Sequence, residues 1–240
     1  MKKIVEIKNL TKLYNDQKSG IKNISFDIYE GKFHAFIGSN GSGKTTTIKS
    51  LVNAYSKFQG EILINGILNT NASAKSLIGY IPEHPKFPPF FTTWDYLYAF
   101  ALLNYNKQEA SEKVDKLIKQ FKLEKLKDLK PFNFSSGQKK KVLLSQSIIN
   151  DPKILIMDEP TANLDPLARR ELFEILNSYK ELGNTIFIST HELFEISRFV
   201  DYVTIIHLGD IIYSGPFLKN SNLEEFYFQK LKEHKKNYEK

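Results

Sequence analysis

Residues 38–45 read GSNGSGKT, and this short run constrains the fold more than any other part of the chain. It follows FHAFI, a run with buried-strand character, and opens into the helical run TTTIKSLVNAY. Its glycines let the backbone wrap closely and turn successive N–H groups inward. Strand, tight loop and helix form one βα unit, whose usual setting is an α/β fold with a parallel sheet. The spacing G-x-x-x-x-G-K-[ST] is that of a phosphate loop. In it Lys44 supplies a cation for β- and γ-phosphates and Thr45 a hydroxyl for Mg²⁺. The rest of the loop, Gly38, Ser39, Asn40, Gly41, Ser42 and Gly43, with Thr46 just beyond, supplies backbone and small polar groups. A glycine-rich turn can match this spacing by chance, but strand before and helix after argue against that.

The run ILIMDE, residues 154–159, delivers two carboxylates at the end of a second buried strand. Sites of open α/β sheets lie at the carboxyl ends of strands. Asp158 is therefore placed to hold Mg²⁺ through water, and Glu159 to orient or deprotonate an attacking water. Alone, paired acids after a strand are a solvated loop or a helix cap. Together with a phosphate loop they supply what phosphoryl transfer asks of a protein, which is positioning and charge neutralisation.

A second phosphate grip is suggested at FSSGQKKKVLLSQ, where Ser135, Ser136, Gly137 and Gln138 open a mostly apolar helix. Backbone N–H groups at a helix start bind anions. An ordinary serine cap explains the same residues. In that helix Leu144 and Ile148 lie on one side and Val142 and Ile149 on another, as in a helix packed on two faces.

Short strands dominate residues 1–84. In NISFDIY, Ile24, Phe26 and Ile28 face one way and Ser25, Asp27 and Tyr29 the other. From 85 to 150 the pattern turns helical after EHPKFPPFF, with Val114, Leu117, Ile118 and Phe121 on one stripe. Strands return in 151–220, in KILIMD and NTIFIST, both read as buried parallel strands. Between them Ala168, Leu172, Ile175, Leu176, Tyr179 and Leu182 make an amphipathic helix. Asp165 caps it, Pro166 fits its first turn and Gly183 ends it. Residues 221–240 form a helical tail starting on a Ser221–Glu224 capping box, with fraying after His234. The expected architecture is thus a single α/β domain interrupted by a helical insertion.

Composition narrows the setting. The chain has 240 residues, no cysteine and a formal charge of +7. Disulfides and thiolate metal sites are excluded, which suits a reducing cytosol. The longest apolar run, residues 96–105, is about half the ~20 residues of a spanning helix. The lysines are scattered among acids, without the clustered footprint of a nucleic-acid binder. A surface beside anionic lipid, or a lysine-rich proteome, accounts for the charge.

Taken in order, GSNGSGKTT, FSSGQ, ILIMDEP, TANLD and ISTH resemble the nucleotide-binding subunit of an ATP-binding cassette (ABC) transporter over nearly the whole chain. The resemblance implies a P-loop NTPase (RecA-like) core with an N-terminal antiparallel β subdomain and an inserted α-helical subdomain. It implies ATP and Mg²⁺ as cofactors and a homo- or heterodimer of two such subunits, with two ATP at the seam. The Ser135–Gln138 signature of one subunit would grip the γ-phosphate on the other, and Asp165 would help join the two sites. Tyr14 matches the aromatic that stacks on adenine, and His191 the histidine near the γ-phosphate. Hydrolysis would power a separate transmembrane permease, with this subunit on the inner face of the cell membrane. No nucleic-acid partner is implied.

Three positions, in two places, depart from the family. The signature has Phe134 and Ser136 where Leu and Gly are usual. Glu83, in IGYIPEHP, stands where most transporters carry a glutamine that reaches the metal and the attacking water. Glu83 can itself ligate Mg²⁺, and it resembles the branch that exports drugs, peptides or lipids. The aromatics Phe87, Phe90, Phe91, Trp94, Tyr96, Tyr98 and Phe100 are read either as core or as the docking site of the membrane partner. The rival reading is a soluble ABC-type ATPase acting on nucleic acid or an assembly scaffold; a DNA-repair type would carry a very long insertion between loop and signature, which this chain lacks. A nucleotide-binding module without turnover is disfavoured by Lys44, Asp158, Glu159 and His191 together.

Overall fold

In the computed structural model, residues 1–14, 19–219 and 221–238 are described. The strands and helices, in chain order, are β1 (Lys3–Leu13), β2 (Gly20–Tyr29), β3 (Phe33–Ile37), α1 (Lys44–Leu51), β4 (Gln59–Ile64), β5 (Ile67–Leu68), α2 (Ala72–Lys75), β6 (Ile78–Ile81), α3 (Thr93–Ala101), α4 (Lys107–Gln120), α5 (Ser136–Ile148), β7 (Ile154–Asp158), α6 (Pro166–Glu181), β8 (Thr185–Thr190), α7 (Leu193–Ile196), β9 (Tyr202–His207), β10 (Asp210–Pro216) and α8 (Leu223–Tyr238). They build two sheets. One is antiparallel, in the order β2-β1-β4-β5; the other runs β10-β9-β3-β8-β7-β6. In the second, β9, β3, β8, β7 and β6 are parallel and β10 closes one edge antiparallel.

The central strands β3, β7 and β8 are buried at every position, because both faces of the sheet are covered. Alternation along each strand divides their side chains between two cores. Ala35, Met157, Ile186 and Ile188 pack with the helices α3–α6. Phe36, Ile154, Ile156 and Phe187 pack with α1 and the antiparallel sheet. The stack of Phe26, Phe36 and Phe187, with centroids 5.4–6.1 Å apart, joins the two sheets. His34 lies wholly buried beside it, its Nε2 2.8 Å from Thr204 Oγ1.

Helices α3, α4 and α5 each begin on a complete capping box: Thr92 with Asp95, Asn106 with Glu109, and Ser135 with Gln138. Asp165 caps α6 by accepting from the Ala168 N–H at 2.9 Å, and Gly183 ends it at φ +90°. Leu182, expected on the buried stripe, is 80% exposed; it is the residue at which α6 has already ended. The tail helix is capped by Asn222, not Ser221: the Asn222 side chain accepts from the N–H groups of Glu224 and Glu225. Its bounds reach past His234 to Tyr238. The aromatic run after Glu83 divides. Phe87 and Tyr96 are core, whereas Phe90 is 84% exposed. Among the described residues, no helix is long and apolar enough to cross a membrane.

Candidate functional site

The phosphate loop hangs from the carboxyl end of β3, one of the two middle strands of the six-stranded sheet. Two of its glycines are required by space. A Cβ on Gly38 would meet Ser42 Oγ at 2.4 Å and the Ile206 carbonyl oxygen at 2.5 Å. Gly43 has φ +112°, and a Cβ there would meet Ile21 Cγ2 at 2.5 Å. The loop delivers Lys44 as the first residue of α1, where the helix dipole favours an anion. Lys44 Nζ donates to the carbonyl oxygens of Gly38 (2.7 Å) and Ser39 (3.2 Å) and lies 3.3 Å from Glu159 Oε1.

Strand β7 supplies the carboxylates. Asp158 is its last residue and is 1% exposed. Glu159 turns sharply away with φ +45°, a left-handed conformation unusual for a glutamate. From there Oε1 reaches Lys44, while Oε2 lies 2.9 Å from His191 Nδ1. Burial raises the pKa of Asp158; hydrogen bonds from Ser189 and Thr45 pull it down, and the charges of Glu83 and Glu159 push it up again. Asp158 Oδ2 is buried without a well-formed hydrogen-bond partner. Glu83 follows β6 and lines the same cleft as Lys44 and Glu159. Lys140, buried in α5, is pushed down to about 8 by burial, with Glu83 pulling it back up.

Lys44, Thr45, Thr46, Glu83, Glu159 and His191, with Tyr14 at one end, line a cleft of about 500 Å³. Asn40, Gly41 and Gly43 also border it. Tyr14 is 41% exposed and holds Thr46 Oγ1 through its hydroxyl at 2.9 Å, so its ring stands beside the start of α1. Ser135, Ser136, Gly137 and Gln138 do not line this cleft; they stand at the start of α5, where Ser135 and Ser136 are exposed. Asp165 is likewise outside it, occupied as the cap of α6. Among the described residues, no cluster of three or more His, Cys, Asp or Glu forms a metal cage.

Sequence reasoning missed two connections. Ser189 bonds both to Asp158 and to the Glu159 backbone. Arg169 pairs with Glu192 at 2.7 Å and donates to the Leu164 carbonyl at 2.9 Å, joining the TANLD turn to the segment after His191. The first depends on the register of β7 against β8 and the second on a contact across the fold; nothing in the sequence signals either.

A glycine loop at the end of β3, a buried lysine, and two acids at the end of β7, the parallel strand next but one, define the P-loop nucleoside triphosphatase fold. The sequence model of the ABC transporter family matches residues 21–162, and the chain belongs to that family. A Mycoplasma pneumoniae protein named as an ABC transporter ATP-binding protein is 47% identical over 218 residues, covering 88% of this chain and 66% of its own length. Two other relatives bear names that do not agree on a branch. One is the energy-coupling factor transporter ATP-binding protein EcfA2 of Clostridium perfringens, 32% identical over 88% of this chain and 79% of that one. The other is the Nod factor export ATP-binding protein I of Cupriavidus metallidurans, 31% identical over 90% of this chain and 72% of that one. A solved structure, described as the ATP-binding subunit of an ABC transporter, superposes with a TM-score of 0.84 at 30% identity, over 95% of this chain and 99% of that one.

Proposed function

We propose that this chain is the ATP-hydrolysing subunit of a transporter whose membrane permease is a separate protein. The observation that carries the reading is the convergence of Lys44, Glu159 and His191 on one cleft, beside Asp158, while the signature lies outside it. The loop N–H groups and Lys44 bind the β- and γ-phosphates, and Tyr14 stacks on adenine. Asp158 Oδ2 and the Thr45 hydroxyl fit Mg²⁺, an ion that keeps phosphate and water oxygens in its shell and needs few protein ligands; Glu83, which lines the same cleft, would join them. When bound, Mg²⁺ neutralises the charge that develops on the phosphates. Glu159 takes the proton of the attacking water, and His191 holds that carboxylate at its second oxygen.

The exposed signature then belongs to a second subunit's site. Two copies, or this chain and a close relative, pair head to tail. Ser135, Ser136, Gly137 and Gln138 of each grip the γ-phosphate on the other, and Asp165 lies between the two sites. ATP binding closes the pair and hydrolysis opens it. The helical segment 85–150 passes that motion to the permease, with Phe90 exposed for docking, and the subunit sits on the cytoplasmic face of the membrane. Export is the direction we favour, supported by Glu83 in the glutamine position.

The test is the oligomeric state of Glu159→Gln with saturating Mg²⁺ and ATP. This variant keeps the binding groups and loses the base, so it accumulates as a nucleotide-bound dimer in size-exclusion chromatography, with turnover down about 100-fold or more. A variant that stays monomeric with its membrane partner present overturns the reading.

A further inference from the structure

Ser189 sits on β8 directly opposite Asp158 of β7 in the parallel register. It is fully buried. Its hydroxyl donates to Asp158 Oδ1 at 2.7 Å and accepts the Glu159 backbone N–H at 2.9 Å. One small group therefore holds two consecutive residues to which the proposed function gives different tasks. Its two bonds also bear on two oddities of the site. Asp158 has Oδ1 taken by Ser189 and leaves Oδ2 without a well-formed hydrogen-bond partner. Glu159 tolerates φ +45° because its N–H, turned out of the strand ladder, has a partner. Left-handed backbone on a non-glycine residue persists when neighbouring groups hold it.

We propose that Ser189 is a positioning residue for the ATPase site: its hydroxyl fixes Asp158 to offer one oxygen to the metal and sets the backbone turn that aims Glu159 at the cleft. It touches neither nucleotide nor metal. The inference rests on the roles given above to Asp158 and Glu159. It adds that the angle between these two side chains is set by a strand that carries neither.

Threonine and valine have nearly the same shape, and only threonine keeps the hydroxyl, so Ser189→Thr and Ser189→Val separate hydroxyl from packing. Supports of this kind cost about 10–100-fold in activity or metal affinity when removed. Ser189→Val and Ser189→Ala are expected to lose kcat about tenfold or more, with KM for ATP within about twofold. Mn²⁺ titrated into each protein with ADP, followed by electron paramagnetic resonance, is expected to bind severalfold more weakly in the Val and Ala variants. Ser189→Thr is expected to keep both readouts near the unaltered protein. Equal loss in the Thr and Val variants assigns the effect to packing and overturns the proposal. So does wild-type Mn²⁺ affinity in Ser189→Ala. Glu159→Gln measured alongside separates the levels. If that variant is inactive while Ser189→Ala is normal, the positioning role fails and the ATPase reading stands. If Glu159→Gln turns over normally, the underlying reading fails, and this proposal with it.

Discussion

Lys44 Nζ and Glu159 Oε1 lie 3.3 Å apart, and the two side chains are 6% and 8% exposed. Each is desolvated, and each is held by a further group: Lys44 by the Gly38 and Ser39 carbonyls, Glu159 by His191. A buried charge without a partner is strongly unfavourable, and the Lys44–Glu159 ion pair sets one buried charge against the other. On the proposed function, phosphate entering the loop would compete for the Lys44 ammonium and free Glu159 to face a water molecule, so that binding and activation of the base would be linked through one side chain.

Lys44→Ala removes the cation and three of its contacts. Hydrogen bonds to charged groups contribute about 1.5–3 kcal/mol each, so losing one to phosphate weakens ATP binding about tenfold to 100-fold. Isothermal titration reads this directly. Unchanged affinity would show that the loop does not hold the phosphates.

Asp165 has a structural task that can be separated from its proposed place between two sites. Its side chain accepts from the Ala168 N–H. Asp165→Ala should lower stability by about 1 kcal/mol, and Asp165→Asn should restore it, since asparagine caps as well as aspartate. Urea unfolding of both variants checks the cap. Any loss of turnover that persists in Asp165→Asn, at full stability, then reports on the carboxylate.

The parts of this chain legible in sequence are those in which local pattern and tertiary burial agree. The loop after β3, the buried strands β7 and β8 and the cap and stop of α6 are of this kind. The hairpin of β9 and β10 went unread. Its turn is Leu208–Gly209, both at positive φ, where the usual signal is asparagine or aspartate before glycine. The start of α8 was placed one residue early because Ser221 and Asn222 are both good caps, and only the hydrogen bonds distinguish them. At the candidate site, the residue types propose Lys44, Asp158, Glu159 and His191, of which Lys44, Glu159 and His191 line one cleft. What Ser189 does depends on the register of two strands separated by a helix, and no pattern within either strand encodes that.

His34 gives the fold a defined response to acid. It is fully buried among Phe26, Phe187 and Tyr202, and burial pushes its pKa from 6.5 down to about 3. The unfolded chain binds this proton and the folded chain resists it. The stability contributed by keeping His34 neutral is therefore complete above pH 6.5 and declines as pH falls toward 3. Between pH 6.5 and 5 the loss is on the order of 2 kcal/mol. His34→Gln keeps a group able to bond Thr204 but binds no proton. Its unfolding free energy should fall less over this interval than that of the unaltered protein. Parallel pH profiles would assign the effect elsewhere.

Ser135 distinguishes a site completed by a second chain from one completed within its own. Its side chain caps α5 by accepting from the Gln138 N–H, and it lies outside the cleft of Lys44. Ser135→Arg loses the cap and places a bulky cation where the partner's γ-phosphate would sit, so this variant should be inactive alone. Lys44→Ala should also be inactive alone. Mixed, the two make a decisive pair. In a head-to-tail heterodimer, the intact loop of the Ser135→Arg chain meets the intact signature of the Lys44→Ala chain, so one whole site is rebuilt. Random pairing makes half the dimers mixed, each with one of two sites restored, and activity should recover to at most about a quarter of normal. If each chain used its own signature, every site in the mixture would carry a defect. ATPase activity that stays at zero across all mixing ratios would therefore exclude completion in trans.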